Sequence, residues 1–199
     1  IPNHSATGDS FGTGCALTSD NGRMTITSTP VSHNALKTLQ DIATGGGIYS
    51  SDALTVSDSV VSENSVSAST ADAFGASGGG IDMRGTLTLG RTTLSLNSVT
   101  NSKGGAAGGG LFAHETDTST VLFSLTNCTI ANNNVQGAST AAGGGLALHL
   151  LRSRNSSIDF CTIYGNSASQ GGGMVTTWAD TPRPPDLLLK NSIVAGNFA

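Results

Sequence analysis

One pair of motifs recurs along the whole chain and limits the available folds more than any other feature. Glycine triplets begin at Gly45, Gly78, Gly108, Gly143 and Gly171, each followed by an apolar residue: Ile48, Ile81, Leu111, Leu146 and Met174. Gly12-Thr13-Gly14-Cys15 reads as a degenerate first copy, with Cys15 in the apolar place. After each copy comes a second signature: apolar-x-apolar, four residues, then apolar-x-x-Asn. Its six instances are Met24, Ile26, Val31, Asn34; Leu54, Val56, Val61, Asn64; Leu87, Leu89, Leu94, Asn97; Phe123, Leu125, Ile130, Asn133; Ser156, Ile158, Ile163, Asn166; and Leu187, Leu189, Val194, Asn197. Only Ser156 departs from the apolar rule, and the lengths between signatures vary.

Fixed segments joined by variable ones are what strands stacked on strands, with loops at the corners, look like in sequence. Two apolar residues at spacing two share one face of a strand. The shift of phase before the third apolar residue calls for a bend, and turn formers stand there in several copies: Asp58, Asn127 and Asn191. The glycines allow positive φ or close backbone approach at another corner. The recurrent Asn34, Asn64, Asn97, Asn133, Asn166 and Asn197 are expected to stack as an amide ladder between in-register parallel strands. The predicted fold is therefore an all-β, right-handed parallel β-helix of about six coils, a single domain over 1–199. Its coils begin near 12, 45, 78, 108, 143 and 171, and at one strand spacing per coil the rod is about 30 Å long. No segment sustains the 3.6-residue apolar period of a helix.

Composition agrees with a thin, repetitive core. Charged residues are 11%, aromatics 5%, and Gly numbers 27. A net charge of −4 and a pI near 5.3 argue against nucleic acid as a partner. No apolar run approaches the roughly 18 residues of a membrane span. The chain opens on Ile1 without a signal peptide, which reads as a processed product or excised segment.

The alternation of Gly-Gly-Gly-Ile and Ile-x-x-Asn over residues 12–197 resembles the repeats of chlamydial polymorphic membrane proteins and related secreted surface β-helix proteins. Those carry Phe where this chain has Val31, Val61, Leu94, Ile130, Ile163 and Val194. The resemblance implies surface display, adhesion and assembly into elongated stalks, with no catalytic residue to carry over.

Several positions are candidates for more than scaffolding. His114 and His149 share a register six residues after the start of their triplets, with Arg84 one coil earlier and Thr18, Ser51 and Thr177 in the others. Together with Trp178, on the long Val175–Asp186 loop, they make a candidate ligand face, read as a site for an acidic polysaccharide or a metal. Two stacked histidines supply too few ligands for a metal centre. Asp82, Glu115, Asp117 and Arg152 lie near them in sequence. Cys128 and Cys161 align with Thr29, Ser59, Thr92 and Ser192 in a column of small inward side chains, and Cys15 is expected to be buried and inert. Asn3, Asn127 and Asn155 open Asn-x-Ser/Thr sequons and are candidate glycosylation sites.

A polysaccharide-degrading enzyme would need paired carboxylates, and the acidic residues Asp52, Asp58, Asp72, Asp82 and Asp159 recur on no common strand face. Ice binding would use the Thr25/Thr27, Thr55/Ser57, Thr88, Ser124/Thr126 and Ser157 hydroxyl face. If Asn3 is the ladder residue of a preceding turn, both ends fall at one phase of the repeat and neither reads as a cap. The chain is then either a slice of a longer array or a subunit that stacks end to end. The expectation is an extracellular or cell-surface structural or adhesive protein. Its expected partners are its own ends or flanking coils, and surface glycans or host or neighbouring-cell components. It is not expected to be an enzyme or to carry a cofactor.

Overall fold

The computed structural model describes residues 1–9, 11–114, 122–149, 156–177 and 186–199. Three residues per turn sit in the left-handed region, and these bends set the path of the chain. The first glycine of each triplet is one, with φ between 50° and 74° at Gly14, Gly45, Gly78, Gly108, Gly143 and Gly171. The second is the predicted bend inside the apolar signature: Ser28, Asp58, Arg91, Asn127, Phe160 and Asn191, φ 47° to 55°. The third immediately precedes each ladder asparagine: His33, Glu63, Leu96, Asn132, Gly165 and Gly196, φ 56° to 66°. A left-handed conformation costs a side chain such as Phe160 or Leu96 about 1–2 kcal/mol. Stacking against neighbouring rungs imposes it regardless of residue type.

Between the bends lie five parallel sheets, numbered in the order the chain meets them. Sheet I stacks Ser5–Gly8, Ala35–Thr38, Ser65–Ala68, Ser98–Asn101 and Asn134–Gly137. Sheet II stacks Gly12–Thr13, Ala43–Thr44, Ala76–Ser77, Ala106–Ala107 and Ala141–Ala142. Sheet III runs from Leu17–Ser19 through Ile48–Ser50, Ile81–Met83, Leu111–His114 and Leu146–His149 to Met174–Thr177. Sheet IV holds Met24–Thr27, Leu54–Ser57, Leu87–Gly90, Phe123–Thr126, Ser156–Asp159 and Leu187–Lys190. Sheet V holds Pro30–Ser32, Val60–Ser62, Thr93–Ser95, Thr129–Ala131, Thr162–Tyr164 and Ile193–Ala195.

The architecture is an all-β parallel solenoid of about five turns, with no helix among the described residues. Three sheets have six rungs, but sheets I and II have five. The short segment from Asn166 to Gly171 leaves room only for single bridges at Ser167 and Gln170.

The amide ladder is present and saturated. From Asn64 on, each side-chain oxygen accepts from the backbone N–H and the Nδ2 of the preceding asparagine, as Asn97 Oδ1 does from Asn64 at 3.0 Å each. From Asn34 to Asn166, each Nδ2 donates to the next Oδ1 and to a carbonyl of the preceding coil, as Asn97 does to Asn133 at 3.0 Å and to Val61 at 2.9 Å. The same pattern joins Asn34, Asn64, Asn97, Asn133, Asn166 and Asn197.

The two sequence signatures prove to be the two sides of one contact. A Cβ on the third glycine of a triplet would fall 3.0–3.1 Å from a ladder amide at Gly47 (Asn64), Gly80 (Asn97) and Gly110 (Asn133). On the second glycine it would meet backbone, as at Gly79, 2.5 Å from the Gly109 carbonyl and 2.7 Å from that of Ser98. The glycine corner thus presses on the asparagine corner and pinches the interior into two columns. Leu54, Val56, Leu89, Phe123, Leu125 and Ile130 belong to the larger, between sheets III, IV and V. Leu36, Val66, Val99 and Val135 with small alanines fill the lesser, between sheets I and II.

Two register expectations are corrected. Gly14, not Gly12, is the first glycine of the opening coil: its N–H donates to Thr44, while Gly12 pairs Ala43. Leu17 takes the apolar place opposite Ile48, and Cys15 stands where the other coils have their second glycine. Cys15 is accordingly only partly buried, its thiol donating to the Ala35 carbonyl. At the start of the chain, His4 rather than Asn3 holds the ladder register, since Ser5 pairs Ala35 and the His4 N–H donates to Asn34 Oδ1. Asn3 takes the left-handed position before it, φ 62°. A Gly-x-Gly and an Asn at nearly the right spacing misled by two residues and one residue, because only backbone pairing defines the phase.

Candidate functional site

Sheet III sends two columns of side chains outward. The first is Thr18, Tyr49, Asp82, Phe112, Ala147 and Val175, four residues after the first glycine of each coil. The second holds Ser51, Arg84, His114, His149 and Thr177, so the expected register of Arg84, His114 and His149 is the observed one. Thr18 is corrected to the first column, and Asp20 takes its place in the second. Tyr49, Asp82, Phe112 and Ala147 of the first column are buried, because sheet II meets sheet III at a re-entrant corner where Phe112 and Ala147 cluster with Ala107 and half-buried Val175 packs against them; Thr18 at its end is exposed.

Aromatic rings concentrate here, in a chain otherwise poor in them. Phe74 lies with its ring centroid 5.9 Å from that of Phe112 and 6.5 Å from that of His149. It is carried by the loop between sheets I and II, which the next coil holds through two hydrogen bonds: Thr70 N–H donates to Asn101 Oδ1, and Gly105 N–H donates to the Asp72 carbonyl. Phe112 contacts His114 at 5.8 Å, and His114 meets His149 edge-on at 4.9 Å. His149 Nδ1 lies 3.0 Å from the Thr177 hydroxyl. Arg84 places its guanidinium 5.6 Å from the centre of the Tyr49 ring. Burial first, then His149 and Arg84, lower the His114 pKa, so this imidazole is neutral in neutral solution.

Asp82 is fully buried in the same corner. Burial pushes its carboxyl up to about 6, against the hydrogen bond donated by Ser77 and the charge of Arg84. Its second oxygen, Oδ1, has no hydrogen-bond partner among the described residues. At 1% exposure the carboxyl is closed to a substrate oxygen, which disfavours it as a general acid despite its raised pKa. Of the other acids, Asp58 is held below the usual carboxylate range by the hydrogen bonds of Arg91, at 2.6 and 2.7 Å. Asp159 pairs with Lys190 at 3.1 Å. Among the described residues no group of three His, Cys, Asp or Glu is placed to hold a metal ion.

Cys128 and Cys161 stand on adjacent rungs in the expected column. Both are buried free thiols. Each thiol donates to the carbonyl two residues back at 3.3 Å, and Cys161 Sγ accepts the Cys128 N–H. The Thr29, Ser59 and Ser192 hydroxyls make the same bond to the carbonyl two residues back. The hydrogen bond with Cys161, then burial, raises the Cys128 thiol pKa. Asn3 and Asn127 are exposed, Asn127 at a left-handed bend. Trp178, Asn155, Glu115, Asp117, Arg152 and the prolines of the Val175–Asp186 loop lie outside the described residues. The hydroxyl face expected on sheet IV exists as two columns: Thr25, Thr55, Thr88, Ser124, Ser157 and Leu188; then Thr27, Ser57, Gly90, Thr126, Asp159 and Lys190.

A concavity that the sequence reading missed runs along the corner between sheets I and II. It has a volume of about 630 Å³, crosses four coils, and is flanked by the outward column Lys37, Ser67, Thr100 and Gln136. Its signal was in the sequence, since each of these residues lies three beyond a ladder asparagine. No protein-family model, curated protein or solved structure matches the chain. Fold and site geometry thus place it in the class of parallel β-solenoids with an asparagine ladder.

Proposed function

We propose that the chain is an extracellular structural or adhesive solenoid, a rigid rod at a cell surface whose sides meet glycans or neighbouring-cell components. The amide ladder carries this reading. It spends every donor and acceptor of the buried asparagine side chains along the axis, from coil to coil, so the repeat builds length and stiffness. The alternating Gly-Gly-Gly-apolar and apolar-x-x-Asn elements resemble the repeats of the chlamydial polymorphic membrane proteins and related secreted β-helix proteins, which supports surface display. Further coils, of this chain or of another copy, are the proposed axial neighbours.

The test is immunogold labelling and electron microscopy of intact native cells, paired with protease shaving. Label on extended rods outside the cell, removed by shaving, is the expected result. Label confined to the interior, or on compact particles without a rod, overturns the proposal.

A further inference from the structure

We propose that the concavity between sheets I and II is a binding trough for a linear, uncharged glycan lying along the solenoid axis. A second hollow of about 180 Å³, lined by Thr7 and Phe11, shares Lys37 and Thr38 with the first. The two together cross all five rungs of sheet I, which is longer than one sugar needs and suits a chain of them.

The ligand class follows from what the trough offers. Thr7, Lys37, Ser67, Thr100 and Gln136 form one column, a polar side chain per rung. Rungs are spaced by about 4.8 Å, so hydrogen-bonding groups recur at a short, regular interval along the axis. A partner must present matching groups as regularly. The sheet I backbone is already committed to its own parallel ladder, as in Ser98 N–H to Asn64 and Asn134 N–H to Asn97. A peptide binding by strand addition needs a free edge parallel to itself, and the trough runs across the strands. Recognition therefore falls to side chains. Thr100 donates its hydroxyl proton to the Val66 carbonyl, leaving lone pairs for an incoming O–H, while Lys37 donates and Gln136 does both.

Charge narrows the class further. Among the described residues no carboxylate lines either hollow, and Lys37 is the one cation in their linings. A polyanion would find one partner over five rungs and a polycation none. Exposed Leu39 (42%) and Phe11 (49%) flank the trough and offer apolar surface to the C–H faces of sugar rings. The inference supplies a partner for the adhesive role proposed above but depends only on the trough, so it holds or fails separately from cell-surface location.

The experiment is isothermal titration of the full chain with cello-, xylo-, manno- and chito-oligosaccharides of increasing length. Polygalacturonate and an extended neutral peptide serve as competing classes. Affinity for at least one neutral series should rise with each added sugar and then level off. Ser67→Trp, which sets a ring in mid-trough, should weaken binding by at least roughly tenfold, and Thr129→Trp on the outer face of sheet V should leave it unchanged. If Ser67→Trp fails to fold, Gln136→Ala and Lys37→Ala carry the test with a smaller expected loss. No binding by any neutral series, unchanged binding in the trough variants, or preference for the acidic polymer or the peptide overturns the proposal.

Discussion

Replacing Asn97 by Asp changes one nearly isosteric group and tests whether the ladder is the structural spine of the molecule. The side-chain oxygen that accepts from Asn64 is retained, but the Nδ2 donor is lost. A carboxylate oxygen then faces the Val61 carbonyl and Asn133 Oδ1, which stood at 2.9 and 3.0 Å as acceptors. Each buried group left without its partner costs about 1–3 kcal/mol, so two predict a loss of about 2–6 kcal/mol at neutral pH. That is comparable with the roughly 5–15 kcal/mol that holds a typical domain folded. Protonation restores one donor, and both burial and the facing oxygens favour the neutral acid. The folded pKa of the introduced carboxyl therefore lies above the unfolded value of about 3.9. The sign follows: the variant's deficit is smallest below about pH 4 and grows as pH rises through the folded pKa. Urea unfolding of wild type and Asn97→Asp at pH 4 and pH 7 measures it, with an unchanged slope confirming two-state behaviour. The same change at half-exposed Asn197, where water can replace the lost partners, should cost far less. A loss within about 1 kcal/mol at pH 7, or a deficit that shrinks as pH rises, would refute the reasoning.

Gly79→Ala should abolish folding or cost several kcal/mol, since its Cβ would sit 2.5 Å from the Gly109 carbonyl. Gly90→Ala, with nothing within 4 Å of the new atom, should be neutral or stabilise by about 0.4–1 kcal/mol in thermal melts. Asp82→Asn should stabilise the protein at pH 8 by roughly 3 kcal/mol, because the wild-type carboxyl, raised to about 6, loses stability as pH rises through that value. The gap should close near pH 4, and a gap independent of pH in denaturant titrations would count against it. Cys128→Ser should hold its place in the hydroxyl column with a change of about 1 kcal/mol or less. In thiol titration of the native protein, half-exposed Cys15 should react first, with Cys128 and Cys161 released only on unfolding.

Much of this molecule was legible from residue spacing, and the misreadings mark where spacing stops being informative. The ladder of Asn34 to Asn197 and the column of Cys128 and Cys161 were found because each links positions one repeat apart in sequence. The alignment of Arg84, His114 and His149 was found on the same ground. The first coil was misplaced because Gly12 and Gly14 both fit a degenerate motif, and only the pairing of Gly12 with Ala43 separates them. Phe74 lay outside both signatures. It joined the histidine face because its loop, bonded to the next coil at Thr70 and Asp72, brings its ring 5.9 Å from that of Phe112. The trough was missed because its residues are ordinary Lys, Ser, Thr and Gln, and their shared feature is a corner of the cross-section.

By itself, the sequence determined the axial order of this protein: parallel rungs, their register beyond the first coil, the amide ladder and the inward apolar columns. In-register stacking needs only that each coil repeat the last, and periodicity along a chain expresses that condition directly. What lies across the interior was decided only by the tertiary structure. Three left-handed bends per turn bring the glycine corner against the asparagine corner, divide the core in two, bury Asp82 in one re-entrant angle and open the trough at another. Those contacts join residues at different phases of the repeat, and their meeting depends on the sum of bend angles around a turn.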